Sequence, residues 1–152
     1  MTSSPELLDL YRRTVMQHSR EPHNFRRMEH PDRQAEGHNP LCGDKITVYL
    51  KLDHEKIADL SYEAAGCAIS MASASIMSEQ IAGLDCAAAD EQASAVTAAF
   101  STDAGQTLPG DMVALAGVRQ YPSRVRCALL PWRTLHAALS GETDSVNTEK
   151  GD

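Results

Sequence analysis

Two runs of alternating residues, joined by a short polar turn, constrain the fold of this chain more than any other feature. From Ile46 to Leu52, Ile46, Val48, Leu50 and Leu52 share one face, and Thr47, Tyr49 and Lys51 share the other. That period of two belongs to a half-buried strand. Asp53-His54-Glu55-Lys56 is a polar turn, and a second run follows with Ala58, Leu60, Tyr62 and Ala64 on a common face. Folding the runs as an antiparallel hairpin makes facing residue numbers sum to about 109. Asp44 then falls near Ala65, and Cys42 near Cys67. The hairpin gathers two thiols and a carboxylate at its open end, a donor set that suits a soft metal or a protected reactive thiol.

The remaining elements follow from local signals. Ser4 and Pro5 read as the cap and first turn of a helix with an apolar stripe of Leu7, Leu8, Tyr11 and Val15, ended by Pro22 at the latest. Residues 22–40 read as loop, with a short strand near Gln34–His38. That strand is needed, because two strands alone make a marginal sheet. AISMASASIMSEQIAG, after Cys67, reads as a helix ending at Gly83, with Ile69, Ala72, Ile76 and Met77 as its contact stripe. An alanine-rich helix spans roughly Ala88–Ser101. Thr102–Gly110 is a loop, and Asp111 starts a short helix stopping at Gly117. The last helix starts near Ser123, with Val125, Ala128, Leu129, Trp132, Leu135 and Leu139 facing the core. Pro131 lies inside it and is expected to bend it. The expected class is α+β: a small antiparallel three-stranded sheet with several helices packed on one face. Residues 1–140 form a single domain, and the polar tail 141–152 is expected to be disordered.

Four cysteines in a chain with neither a membrane-spanning run nor a secretory signal pattern point to a cytoplasmic location, with reduced thiols acting as metal ligands or nucleophiles. A formal net charge of −7 argues against nucleic acid as a partner, since phosphate binding needs a basic face. Six arginines, Arg12, Arg13, Arg20, Arg26, Arg27 and Arg33, lie near the start of the chain. They suit either a solvated surface or the docking of an acidic partner.

Cys127 joins Cys42, Asp44 and Cys67 as a candidate ligand. Zn²⁺ held by three thiolates and a carboxylate would be four-coordinate and tetrahedral, with Asp44 the weaker, more mobile corner. Cys67 lies where a helix begins, which favours its thiolate. There is no C-x-x-C pair, and the spacing equally admits three buried structural cysteines. Cys86, in GLDCAAAD, reads as an incidental thiol. His38 reads as a loop residue, and as the one histidine near enough in sequence to act as a ligand or proton donor. Arg126 is either an exposed helix arginine or an anion holder.

HNPLCGDKITVYLKL and GCAISMASASIMSEQIAG resemble the SufU/IscU-like iron–sulfur cluster assembly proteins. So do LDLYRRTVMQHSREPHNF and GVRQYPSRVRCALLPWRTL. The SufU type is the nearer. An insertion around Leu108–Gln120 precedes Cys127, Arg126 stands where the IscU type has histidine, and Tyr121-Pro122-Ser123-Arg124-Val125 replaces the IscU chaperone motif LPPVK. The resemblance implies a zinc-dependent sulfurtransferase with metal ligands Cys42, Asp44, Cys67 and Cys127. Its catalytic thiol would be Cys42, which takes persulfide sulfur from a SufS-type pyridoxal-phosphate cysteine desulfurase and relays it toward other iron–sulfur assembly proteins. A desulfurase histidine would replace Cys42 on the metal and free that thiol. Two alternatives stand beside this: a scaffold that builds a [2Fe–2S] cluster at the same ligands, and a non-catalytic zinc-stabilised interaction module.

Overall fold

The computed structural model describes residues 5–101, 108–141 and 146–147. In chain order the elements are α1 (Pro5–Arg20), β1 (Arg33–Asn39), β2 (Asp44–Asp53), β3 (Lys56–Ala65), α2 (Ala68–Ile81), α3 (Cys86–Ser101), a 3-10 helix (Gly110–Gln120), α4 (Pro122–Ser140) and β4 (Val146–Asn147). The expected antiparallel sheet forms from β1, β2 and β3, in the order β3-β2-β1-β4. The fourth strand comes from the polar tail, for which composition predicts disorder. Val146 and Asn147 pair parallel to Gly37 and His38. The outer edge of β1 otherwise offers unpaired N–H and C=O groups, which a short extended segment can satisfy. Residues 142–145 and 148–152 of the tail, and the Ser4 cap, lie outside the described residues.

The alternation along β2 is realised as burial. Ile46, Val48 and Leu50 are buried on the helix-facing side, as are Leu60 and Tyr62 of β3. The hairpin register differs from expectation by one. From Lys45↔Ala65 to Lys51↔Asp59 the facing pairs sum to 110, and only Leu52↔Ile57 and Asp53↔Lys56 keep the expected 109. The cause is a bulge between Lys51 and Leu52 that leaves Ala58 as the extra residue of β3. A bulge adds one residue to one strand and shifts everything beyond it. It also brings Ile57 to a fully buried position while Ala58 turns outward.

Helix α2 is buried on nearly all sides, not along a single stripe. Its composition explains why: Ala and Ser are small enough to let neighbours approach from several directions, and each buried hydroxyl needs a partner. Ser73 Oγ donates to the Ala128 carbonyl (2.6 Å) and accepts from Trp132 Nε1 (3.1 Å), tying α2 to α4. Ser78 Oγ donates to the Ser75 carbonyl at 2.7 Å. Ser75 Oγ accepts the His23 backbone N–H at 2.8 Å and lies 2.6 Å from His18 Nδ1, tying α2 to α1 and the turn after it. Helix α4 runs unbroken through Pro131. Among the described residues, no helix is long and apolar enough to cross a membrane.

The α1–α2 tie carries a pH prediction. Burial, together with the neighbouring His23, holds the His18 imidazole below its ordinary value of 6.5, while Asp111 and Glu79 pull the other way. The folded state thus prefers neutral His18, and the unfolded chain binds the proton more readily. Stability should therefore be intact above pH 6.5 and decline as pH falls from there toward the lowered folded value. Urea midpoints at pH 7.5 and pH 5.5 should differ in this sense. The difference should shrink in His18→Asn, whose amide keeps a polar atom near the Nδ1 position without titrating. An unchanged difference in that variant would place the acid sensitivity elsewhere.

Candidate metal centre

The site sits at the end of the sheet where β1 turns into β2 and β3 runs into α2. Asn39 and Asp44 form the last cross-strand pair of β1 and β2, so residues 40–43 are a tight connection. Gly43 takes φ +74, in the left-handed region where glycine costs least, and a Cβ there would meet nothing within 4 Å. Cys42 rides on this turn, partly exposed, behind the exposed Leu41. Asp44 shares the inward face of β2 with Ile46 and Val48 and is fully buried. The alternation that builds the core thus also turns a carboxylate inward.

Gly66 joins β3 to α2 and packs directly on that carboxylate. An added Cβ would lie 2.2 Å from Asp44 Oδ1 and 2.9 Å from its Cα. Only a residue without a side chain permits this approach. It lets the Cys67 N–H donate to Asp44 Oδ1 at 2.8 Å. Cys67 is the N-cap of α2, and its sulfur accepts from the Ser70 N–H at 3.5 Å. Cys127 comes from the first turns of α4 and is fully buried.

The ligand atoms of Cys42, Asp44 and Cys127 all lie within 4.8 Å of one another. Cys127 Sγ is 3.2 Å from Cys42 Sγ. Cys67 Sγ lies 4.0 Å from Asp44 Oδ2, with the Cys127 thiol also near it. The four candidate residues therefore converge, three in one tight group and Cys67 alongside. Interaction with the Cys127 thiol lowers Cys67 to about 6. Backbone N–H groups of Ser70 and Ile69 help, against burial and the Asp44 charge. Cys127 moves the other way, raised by the same interaction and by burial.

This donor set fits a metal ion. Two thiolates bound at about 2.3 Å to a tetrahedral ion sit roughly 3.8 Å apart, within the spread seen here. Asp44 is buried, and none of the ion pairs among the described residues involves it. A buried carboxylate among three thiols needs a positive charge, and a divalent cation would supply it. Asp44 is also less mobile than expected, since both of its oxygens accept hydrogen bonds, Oδ1 from Cys67 N–H and Oδ2 from Asn39 Nδ2.

The other candidates stand apart. His38 is on β1, half-buried, next to inward-facing Asn39 but outside the ligand group. Cys86 opens α3, its N–H donating to the Glu55 carbonyl at 2.7 Å. Arg126 is exposed on α4 beside Cys127. Sequence reasoning does not single out Asn39, although it is fully buried and donates toward two candidate ligands. The available signal is its place three residues before Cys42, in a segment whose composition reads as loop.

Comparison with known proteins gives a consistent picture. Residues 10–128 match the NifU-like N terminal domain family. The chain is 36% identical over 149 residues to the zinc-dependent sulfurtransferase SufU of Bacillus subtilis strain 168, covering 93% of this chain and 97% of that protein. It is 34% identical over 140 residues to the iron–sulfur cluster assembly scaffold protein IscU of Streptococcus pyogenes serotype M1, covering 88% of this chain and 85% of that one. A crystal structure from the thermophile Fervidobacterium islandicum AW-1, described as an iron–sulfur cluster assembly scaffold protein for the SUF system, superposes with a TM-score of 0.79 at 35% identity, over 86% of this chain and 97% of that one. The chain belongs to the NifU-like N-terminal domain family, and its relatives include both SufU and IscU proteins.

Proposed function

We propose that this NifU-like domain is a zinc-dependent sulfurtransferase that takes persulfide sulfur from a SufS-type cysteine desulfurase onto Cys42. The observation that carries the reading is the unequal mounting of the thiols. Cys42 lies on a four-residue turn between strands and is partly exposed, whereas Cys67 caps α2 and Cys127 is buried within α4. Leu41, 54% exposed beside Cys42, offers an apolar contact to a partner arriving at that turn. The likeness to SufU over nearly the full length of both chains supports the same reading.

Cys42, Asp44, Cys67 and Cys127 would hold the zinc. When bound, it supplies positive charge that keeps the thiols deprotonated at neutral pH. The chain's own residues do the rest. The Cys42 thiolate attacks the outer sulfur of the desulfurase persulfide, and a new S–S bond forms to Cys42. The S–S bond of the desulfurase persulfide breaks, and its cysteine leaves as thiolate. The transferred sulfur keeps its proton, so the charge balances. Asp44, Cys67 and Cys127 remain in place while Cys42 swings on Gly43.

A scaffold for a [2Fe–2S] cluster at the same ligands is the second reading, favoured by the IscU relatives. One experiment separates the two: metal analysis of purified protein together with desulfurase turnover measured with and without it. About one zinc per chain and faster turnover are expected. A bound cluster that passes to an acceptor protein, with no change in turnover, would favour the scaffold. A metal-dependent fold with neither activity would leave only an interaction module.

Asp44→Ala provides a further check. It removes the single oxygen donor, so zinc should be lost to a chelator markedly faster than from the parent protein. Unchanged retention and exchange would remove Asp44 from the ligand set.

A further inference from the structure

We infer that Asn39 is a positioning residue of the metal centre, its amide fixing Asp44 and Cys127 so that ligand exchange falls to Cys42. The inference rests on the metal-binding part of the function proposed above.

Asn39 is the last residue of β1 and the direct cross-strand partner of Asp44. It is fully buried. Its Nδ2 lies 3.1 Å from Asp44 Oδ2 and 3.5 Å from Cys127 Sγ. A side-chain amide nitrogen carries two N–H groups, and here both have a candidate ligand atom as acceptor. One donates toward the carboxylate on β2, and the other toward the sulfur on α4. A single neutral side chain therefore spans two elements that the sheet and helix packing must bring into register.

The carboxylate is clamped from three directions. Asn39 holds Oδ2, the Cys67 N–H holds Oδ1 at 2.8 Å, and the Gly66 backbone closes on the same oxygen, leaving no room for a Cβ. Each carboxylate oxygen has two lone pairs, so Oδ2 can accept from Asn39 and still face a metal. The donor's neutrality matters. A lysine or arginine at this place would cancel the charge that attracts the cation, whereas an amide orients the oxygen and leaves its charge in place. Cys127 gains a donor in the same way, at 3.5 Å from its sulfur, which fixes the direction of that sulfur. Cys42 is restrained differently: the contact its sulfur makes is with Cys127 Sγ, itself a candidate ligand. Of the four ligands, the one on the turn is the one whose departure breaks no other hydrogen-bonded arrangement among the described residues.

The test is zinc affinity, measured by competition with a chromogenic chelator. It is applied to the parent protein, Asn39→Leu, Asp44→Ala and the double variant. Asn39→Leu keeps the side-chain shape and deletes the donor. Its zinc dissociation constant should rise about 10- to 100-fold, as expected for loss of a group that orients a ligand. On the Asp44→Ala background the same change should cost far less, because the group being oriented has gone. Cobalt(II) substitution gives a second readout. The visible d–d bands of Asn39→Leu should shift from those of the parent, reporting altered ligand placement without any activity assay.

Affinity within about twofold of the parent would overturn the inference. So would a loss equal on both backgrounds, which would make Asn39 a packing residue. If Asn39→Leu does not fold, Asn39→Ala, likewise neutral and without the donor, goes through the same measurements with the same expected outcomes. A parent protein that binds no zinc would remove the metal reading and this inference with it. A parent that binds zinc beside an Asn39→Leu of equal affinity sinks the inference alone.

Discussion

Cys42→Ser should leave a partner desulfurase at its unassisted turnover while the protein stays folded and keeps part of its zinc. The loss follows from chemistry: a serine hydroxyl is not appreciably ionised at neutral pH and does not open a persulfide, whereas a thiolate does. The retained fold follows from position. Cys42 is only partly buried on the 40–43 turn, so exchanging sulfur for oxygen leaves the core intact. Retained metal is expected because Asp44, Cys67 and Cys127 are set by β2, the start of α2 and α4, none of which depends on Cys42. Cys67→Ser and Cys127→Ser should fail differently. Serine can still cap α2, so Cys67→Ser should fail through metal loss and the stability the metal adds, while Cys127→Ser also puts a hydroxyl in a fully buried place; both should lower the melting temperature together with activity. The assignment is read directly by mass spectrometry after incubation with desulfurase and free cysteine, as one added sulfur on the peptide carrying Cys42. Added sulfur on the Cys127 peptide instead, with Cys42→Ser still active, would reverse the roles of the two thiols.

That asymmetry is half legible in the amino-acid pattern. A period of two in Ile46–Leu52 is enough to place Asp44 inward, because strand faces alternate without exception between bulges. The same pattern misses the register by one, since nothing in KIADLSYEAA announces that Ala58 is the bulged residue. Convergence of Cys127 on the hairpin does not follow from spacing at all. It depends on α4 packing against β1 and α2, a long-range arrangement that the family resemblance supplies and local patterns do not encode. Asn39 is hidden for a related reason. Its role exists only once the third strand pairs with β2 and ends at that residue. Oxygen ligand chemistry alone makes Asp44 a mobile corner. In the fold, two N–H donors and a glycine backbone hold it. Hydropathy gives helix α2 one contact stripe because Ile and Met dominate the pattern. The serines between them are buried as well, and Ser73, Ser75 and Ser78 bond to α4, α1 and the helix itself.

Val48→Asp should unfold the protein or bring it close to unfolding. Val48 is fully buried in the central strand, paired with Ala35 on one side and Tyr62 on the other. Removing the valine side chain forfeits about 2 kcal/mol of apolar burial. Placing a carboxylate there without a cation or donor adds several kcal/mol more, partly relieved if the acid takes up a proton. The sum is comparable with the roughly 5–15 kcal/mol that holds a domain of this size together. Two controls separate face from strand. Thr47→Asp, one residue along and pointing away from the helices, should shift the urea midpoint far less, its cost limited to repulsion from the cross-strand Glu36 and Glu63 on a face that reaches water. Val48→Ala should cost on the order of 2 kcal/mol, the burial loss without the charge. Asp44 tolerates burial in the same strand and on the same face because Asn39 and the Cys67 N–H meet both of its oxygens. Nothing comparable waits at Val48, whose neighbours Ile46, Leu50, Leu60 and Tyr62 form the apolar core. One carboxylate on this face is therefore a site, and a second, two rungs further along, is a lesion. Equal melting curves for Val48→Asp and Thr47→Asp would show that the assigned strand face is wrong, and with it the argument that turns Asp44 toward the thiols.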